Sequence, residues 1–191
     1  MKSHFFAYIT RMRYITRWAL MRNSFSENVQ EHSHTVAVLA HALAVIRNSV
    51  YGGNVDAGAV AVAALYHDAT EIITGDMPTP VKYYNDEIKE SYKKVEAIAC
   101  EKLLGMLPDE LRPAYETSLK CSDDAVNTLV KAADKLSAYI KCLEELKAGN
   151  AEFKRAAEQT RASIDAMALP ELDYFMAHCM PSFSMTLDEL E

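Results

Sequence analysis

The sequence has no Cys-x-x-Cys pair; Cys100, Cys121, Cys142 and Cys179 stand far apart. That spacing excludes a zinc ribbon or a dithiol redox motif and makes reduced thiols in the cytoplasm the expectation. No apolar run reaches transmembrane length, and the start, MKSHFFAYITRMRY, lacks the apolar core of a secretory signal, so neither membrane nor export is expected. Positive charge is scarce too. Twenty Lys and Arg against 27 Asp and Glu give a net charge of −7, which argues against a nucleic-acid polymer or an anionic membrane as partner. A small anion stays possible if a metal or a few arginines supply local positive charge. No strand, hairpin, repeat or low-complexity segment stands out. The 191 residues, half of them apolar, suit one domain spanning residues 1–191 with a sizeable core.

What is present is helical periodicity, and it predicts an all-α bundle of roughly six to eight helices. Phe5, Ile9, Met12 and Thr16 share a face of a first short helix, with Ser3 as N-cap and an end near Tyr14. Met21 to Ser26 reads as a loop. Asn28-x-x-Glu31 has the form of a capping box, opening a helix whose inner stripe is Val29, His32, Val36, Leu39, Leu43 and Ile46. His34 and His41 fall on another face, and they, His4 and His178 read as surface or packing residues. Asn85 to about Met106 forms a charged helix, ended by Leu107-Pro108. Asp109–Cys121 is expected to be helical but interrupted at Pro113. Asp124 to Ala148 is a strong helix capped by Gly149-Asn150. A further helix from about Phe153 breaks at Leu169-Pro170 before a short one around Tyr174 and Met176.

The stretch Ala64–Lys82, ALYHDATEIITGDMPTPVK, stands apart. From Asp56 to Ala64 the preceding pattern is apolar on every face, which predicts a helix buried in the middle of the domain. His67, Asp68 and Glu71 then arrive at its end, at spacings of three and four that let them converge. Burying an imidazole and two carboxylates costs several kcal/mol unless partners or a metal compensate. Gly75 begins a loop in which Met77 and Thr79 each precede a proline and are held extended.

Alone, a His-Asp dipeptide is usually a packing pair. Here His32, His67, Asp68 and Asp134 all fall on core-facing or core-edge positions of three helices, separated by 35 residues and then by 66. Two imidazoles and two carboxylates make a mixed nitrogen and oxygen set suited to a divalent transition metal, and the absence of thiolates disfavours structural zinc.

These residues carry a resemblance. The H…HD…D spacing is similar to that of HD-domain phosphohydrolases. Arg17-Trp18, ENVQEHS (27–33), the His67–Glu71 segment HDATE, TGDMPTPVKY (Thr74–Tyr83) and KAADKLSAYIKCLEELKAGN (Lys131–Asn150) resemble the bacterial 5′-deoxynucleotidases almost from end to end. The resemblance implies an HD-domain helical bundle that hydrolyses deoxyribonucleoside 5′-monophosphates to deoxyribonucleoside and phosphate, with a divalent metal such as Co²⁺ or Mn²⁺ and a homodimeric assembly.

Carried over residue by residue, the resemblance makes His32, His67, Asp68 and Asp134 the metal ligands and places Arg17 on the phosphate. Glu71 is then the general acid/base or, alternatively, a hydrogen-bond partner of a ligand histidine; Arg17 and Asp68 complete the catalytic set. His32, Asp68 and Asp134 also fall on the substrate side. Trp18 and the loop Asp76, Met77, Pro78 and Thr79 match the parts that grip the sugar, the indole excluding a 2′-hydroxyl and Asp76 accepting from the 3′-hydroxyl. Trp18 as a plain core aromatic is the other reading. Two rivals remain open: an HD phosphohydrolase of a triphosphate or cyclic dinucleotide, and a non-catalytic nucleotide-binding regulator.

Overall fold

The structure, a computed structural model, describes residues 3–82 and 84–190; Tyr83, which closes the Thr74–Tyr83 block, lies outside them. The helices are α1 (Phe5–Ile9), α2 (Val29–Tyr51), α3 (Ala57–Tyr66), α4 (Glu71–Thr74), α5 (Thr79–Lys82), α6 (Asp86–Leu104), α7 (Arg112–Leu119), α8 (Asp124–Lys147), α9 (Lys154–Asp165) and α10 (Pro170–His178). Seven of these ten run eight residues or more, within the expected six to eight. Among the described residues the only β pairing is one isolated antiparallel bridge, Thr16 with Asn28.

Helices α2, α3 and α8 form the centre. Val36, Ala40 and Leu43 of α2 meet Val60 and Ala64 of α3 and Leu129, Ala133 and Leu136 of α8, with Ile164, Leu172 and Phe175 closing the far side. Fully buried alanines at Ala40, Ala64 and Ala133 let the backbones approach closely, so a larger side chain there would overpack the seam. The capping box is present: Asn28 Oδ1 accepts from the Gln30 and Glu31 N–H groups, and Glu31 accepts from the Asn28 N–H. It starts α2 at a fixed residue and so fixes where His32 lies.

Two smaller clusters hold the pieces around the site. Phe5, Ala69, Leu103, Leu104 and Leu107 pack together, with the Phe5 and Tyr115 rings edge-on at 5.0 Å. Ala69 is the residue after Asp68, so this cluster pins the turn that carries the His-Asp pair. Cys142, Phe153 and Ala157 form the other, against which Trp18 and Met21 pack.

Three local expectations are corrected. Ser3 does not cap α1; its hydroxyl donates to the Met106 carbonyl, and His4 precedes the helix without a side-chain cap. Pro113 does not interrupt a helix but lies in the first turn of α7, where its missing N–H costs nothing. Helix α3 is not buried on every face: Val62 and Leu65 are 42% and 41% exposed.

Candidate functional site

His32 is wholly buried in the first turn of α2. Its Nδ1 is hydrogen-bonded to Ser137 Oγ on α8 at 3.2 Å. Its Nε2 lies 3.1 Å from Asp134 Oδ1 and 3.5 Å from Asp68 Oδ2. His67 follows the last turn of α3, where its Nδ1–H donates to the Ala64 carbonyl at 2.7 Å. A carbonyl only accepts, so the neutral ring presents its Nε2 lone pair inward. That Nε2 is 3.1 Å from Asp68 Oδ2. Neither Nε2 is aligned with a hydrogen-bond partner among the described residues, although both are buried.

One atom each from His32, His67 and Asp68 lies within 4.8 Å of the other two. Imidazoles tethered through one nitrogen with the other bare, beside a carboxylate, are the arrangement in which metal-binding histidines are held. The residues fit a divalent metal. Asp134 touches the group through His32 but does not share that mutual closeness, and its side chain is 43% exposed.

Arg17 bridges these residues to a cavity. Its Nη1 donates to Asp68 Oδ2 at 3.3 Å and lies 3.9 Å from Asp76 Oδ1, while its Nε is 3.4 Å from Glu27 Oε2. Asp68, Asp76, Asp134 and Glu27 all act on this one guanidinium. A phosphate approaching it therefore meets a predominantly negative wall, which a bound cation would offset.

The same crowding governs proton affinities. Burial pushes the Asp68 carboxyl up, but His67, His32 and Arg17 hold it well below the carboxylate range. Burial lowers His67, yet Asp68 and Asp134 raise its pKa to about 9. Glu71 goes the same way for a different reason. Burial first, then Asp68 and Asp76, raise its pKa to about 9 against the opposing charges of Arg17 and His67. Its Oε2 is buried and unpartnered.

The cavity, about 820 Å³, is lined by Arg17, Trp18, Asp134 and the Asp76–Pro80 loop on one side and by α9 on the other. Of the residues singled out in the sequence, Met77, Pro78 and Thr79 thus sit on its wall. His32, His67, Asp68 and Glu71 do not line it; they cluster behind Arg17 and Asp134. The wall also carries Lys135 and Arg155, so Arg17 is not the lone cation there. Trp18 rests on Phe153, ring centroids 5.3 Å apart, and its indole N–H donates to Glu27 Oε2 at 2.9 Å.

Sequence reasoning passed over Glu27, Ser137, Lys141 and Glu145. Lys141 and Glu145 are 3% and 0% exposed and ion-paired on α8. Glu145 accepts from the Ser24 N–H and Asn150 Nδ2, and Lys141 donates to the Phe25 carbonyl. Together they fasten the 19–26 loop to the bundle. A signal existed: Asp134, Ser137, Lys141 and Glu145 recur along one face of α8 at helical spacing.

Residues 4–183 match the family described as 5′-deoxynucleotidase YfbR-like. The chain is 51% identical over 191 residues to the 5′-deoxynucleotidase YfbR of Shigella boydii, covering 99% of this chain and 96% of that one. The Escherichia coli protein of that name matches at the same identity and coverage. Among solved structures, an HD-domain phosphohydrolase from Listeria innocua superposes with a TM-score of 0.82 at 24% identity, over 94% of this chain and 88% of that one. A cyanophage S-2L HD phosphohydrolase bound to dA and one catalytic Zn²⁺ ion gives 0.66 at 20% identity, over 94% and 96%. At those identities the two structures speak for the fold, which is that of the HD domain. With its near full-length match in sequence and its His-Asp centre in place, the chain belongs to the YfbR-like 5′-deoxynucleotidase family.

Proposed function

We infer that this protein hydrolyses deoxyribonucleoside 5′-monophosphates to deoxyribonucleoside and phosphate, serving deoxyribonucleotide metabolism. The observation that carries the reading is the pair of buried, bare Nε2 atoms of His32 and His67 beside Asp68, directly behind a guanidinium on a cavity wall. His32, His67, Asp68 and, from the cavity side, Asp134 would hold a divalent transition metal, Co²⁺ or Mn²⁺ being suited to this donor set. When bound, such an ion supplies Lewis acidity and lowers the pKa of water.

The remaining roles belong to side chains. Arg17 takes the phosphate with its planar fork of donors. Glu71, protonated by burial beside two carboxylates, holds the proton that the departing 5′-oxygen needs. Trp18 occupies the space of a 2′-hydroxyl, Asp76 accepts from the 3′-hydroxyl, and Met77, Pro78 and Thr79 complete the sugar side. The four free cysteines suit a reducing cytoplasm. The assembly expected with this activity is a homodimer, and light scattering on the eluting protein tests that.

One observation favours a second reading. Lys135 and Arg155 on the cavity wall offer the extra positive charge that a nucleoside triphosphate or cyclic dinucleotide would require. Metal-stripped protein, assayed with dAMP, AMP and dATP after Co²⁺, Mn²⁺, Mg²⁺ or Zn²⁺ is restored, separates the two. Release of inorganic phosphate from dAMP in preference to AMP supports the monophosphate reading. Release of monophosphate from other nucleotides, with dAMP untouched, replaces it.

A further inference from the structure

Glu27 neither lines the cavity nor belongs to the His-Asp cluster, yet its side chain faces Trp18, Arg17 and His32. Its main chain is tied to the segment before Trp18: the Arg17 N–H donates to the Glu27 carbonyl at 3.0 Å, and the Val29 N–H to the Ile15 carbonyl at 2.9 Å, which closes the Thr16–Asn28 bridge. Its carboxylate then faces three groups. Oε2 accepts from the indole N–H of Trp18 at 2.9 Å and lies 3.4 Å from Arg17 Nε, while Oε1 is 3.9 Å from His32 Nδ1.

Trp18 needs such a hold. Its backbone sits at φ 59°, a left-handed conformation that a bulky residue keeps only where its surroundings over-determine it. Phe153 meets one side of the indole and Glu27 fixes its polar edge. The loop between Trp18 and Glu27 is anchored independently, through Ser24 and Phe25 to Glu145 and Lys141 and through Arg22 to Asn150. Glu27 is therefore mounted on a fixed support, and its carboxylate sets the indole and the guanidinium relative to each other.

We propose that Glu27 is a positioning residue for sugar selection: it holds the Trp18 wall in register with the Arg17 phosphate clamp without itself touching substrate. The proposal rests on the deoxynucleotidase reading for its consequence, and on the Trp18–Arg17–Glu27 geometry for its cause. Steric rejection of one added hydroxyl works only when the wall cannot yield, and a wall held by one hydrogen bond to a charged acceptor yields when that acceptor is removed.

The test compares Glu27→Gln with Glu27→Ala in the metal-loaded protein and reads two quantities. One is the ratio of kcat/KM for dAMP to that for AMP. The other is fluorescence excited on the red edge beyond tyrosine absorption, which reports on Trp18 because the chain has a single tryptophan. Glutamine keeps an oxygen for the indole N–H but loses the charge beside Arg17. It should keep the ratio and the emission spectrum, and any change in KM should fall on both nucleotides alike. Alanine loses both interactions; it should lower the ratio about tenfold, the size of one charge-assisted hydrogen bond, and shift the emission and its acrylamide quenching.

A Glu27→Ala protein with wild-type ratio and spectrum overturns the proposal, as does a Gln variant that loses the ratio as fully as Ala. Should Glu27→Ala fail to fold by circular dichroism, Glu27→Met, which keeps the length of the side chain and leaves Trp18 intact but removes the acceptor of the indole N–H, decides: a wild-type ratio and emission spectrum overturn the proposal, and a lowered ratio with a shifted spectrum supports it. If the wild type does not prefer dAMP to AMP, the deoxynucleotidase reading fails by itself, and the fluorescence arm still judges whether Glu27 holds Trp18.

Discussion

His32 and His67 face each other with ring centroids 5.3 Å apart, each tethered through Nδ1 and bare at Nε2. The tethers come from different helices, Ser137 of α8 and Ala64 of α3, so the proposed metal centre is assembled by the packing of α2, α3 and α8 and not by any single loop. His67→Ala should lose both stoichiometric metal and hydrolysis. Ser137→Ala, which deletes only the tether of His32, should weaken metal affinity about 10–100-fold with the fold intact. Metal content after dialysis and phosphate release measure both; a His67→Ala protein that retains both would remove His67 from the ligand set.

Proton uptake depends on the same geometry. In the metal-free protein His67 titrates at about 9 instead of 6.5, and Glu71 at about 9 instead of 4.5. Both folded-state values are raised, so between pH 6.5 and 9 the native state holds more protons than the unfolded chain and stability falls as pH rises. The Tm of metal-free protein should therefore drop across that window, and Glu71→Gln should flatten the drop. A metal needs His67 neutral. Uptake near pH 7.5 should thus release protons, about one from His67, seen as a buffer-dependent heat in titration calorimetry.

Glu71 separates chemistry from architecture. Its carboxyl is buried with one oxygen unpartnered, and among the described residues no hydrogen bond joins it to either histidine. Glu71→Gln should keep metal and bind dAMP, yet turn over about 10²–10⁴-fold more slowly. Loss of metal from this variant would instead make Glu71 a support for a ligand.

Much of this centre was legible in the sequence because its determinants are local. The capping box at Asn28 fixes the register of His32, and the apolar run ending at His67-Asp68 announces buried polar groups. What was not legible depends on how elements meet. Lys141 and Glu145 were passed over in the sequence, and only the return of the 19–26 loop onto α8 shows why both are buried. Glu27 read as one letter of a helix-start block; its role comes from Trp18 turning back through a left-handed residue. The outer face of α3 could not be read either, since an apolar residue in sequence does not say which element covers it.

The buried Lys141–Glu145 pair should be costly to break and cheap to replace. Glu145→Ala leaves an ammonium uncompensated beside Phe25 and should cost about 3–5 kcal/mol, whereas joint replacement by Met and Leu should cost much less. Burial raises the Glu145 carboxyl, but its bonds to Lys141, Asn150 and Ser24 bring it down to about 2. That depressed value adds stability above the unfolded pKa near 4.5, lost as pH falls through about 2. Glu145→Gln should therefore lose the most Tm at neutral pH and converge with wild type in acid.

Gly75 joins the helix of Glu71 to the loop of Asp76, and its backbone, at φ 74° and ψ 162°, lies in a region that is essentially glycine's alone. A Cβ built there meets nothing within 4 Å, so the whole penalty of Gly75→Ala is backbone strain, about 1–3 kcal/mol. Part of that strain should be relieved on its C-terminal side, where the Gly75 carbonyl only accepts from the Thr74 and Tyr92 hydroxyls at 3.0 and 3.5 Å, since on the N-terminal side the Gly75 N–H donates to the Glu71 carbonyl at 2.7 Å. The Asp76–Thr79 wall should therefore shift while His67 and Asp68 stay. The expected signature is a raised KM for dAMP and AMP together, with metal stoichiometry unchanged. A variant with wild-type KM and Tm would show that the loop tolerates another backbone path, and a variant that loses its metal would show that the loop and the His-Asp turn move as one piece.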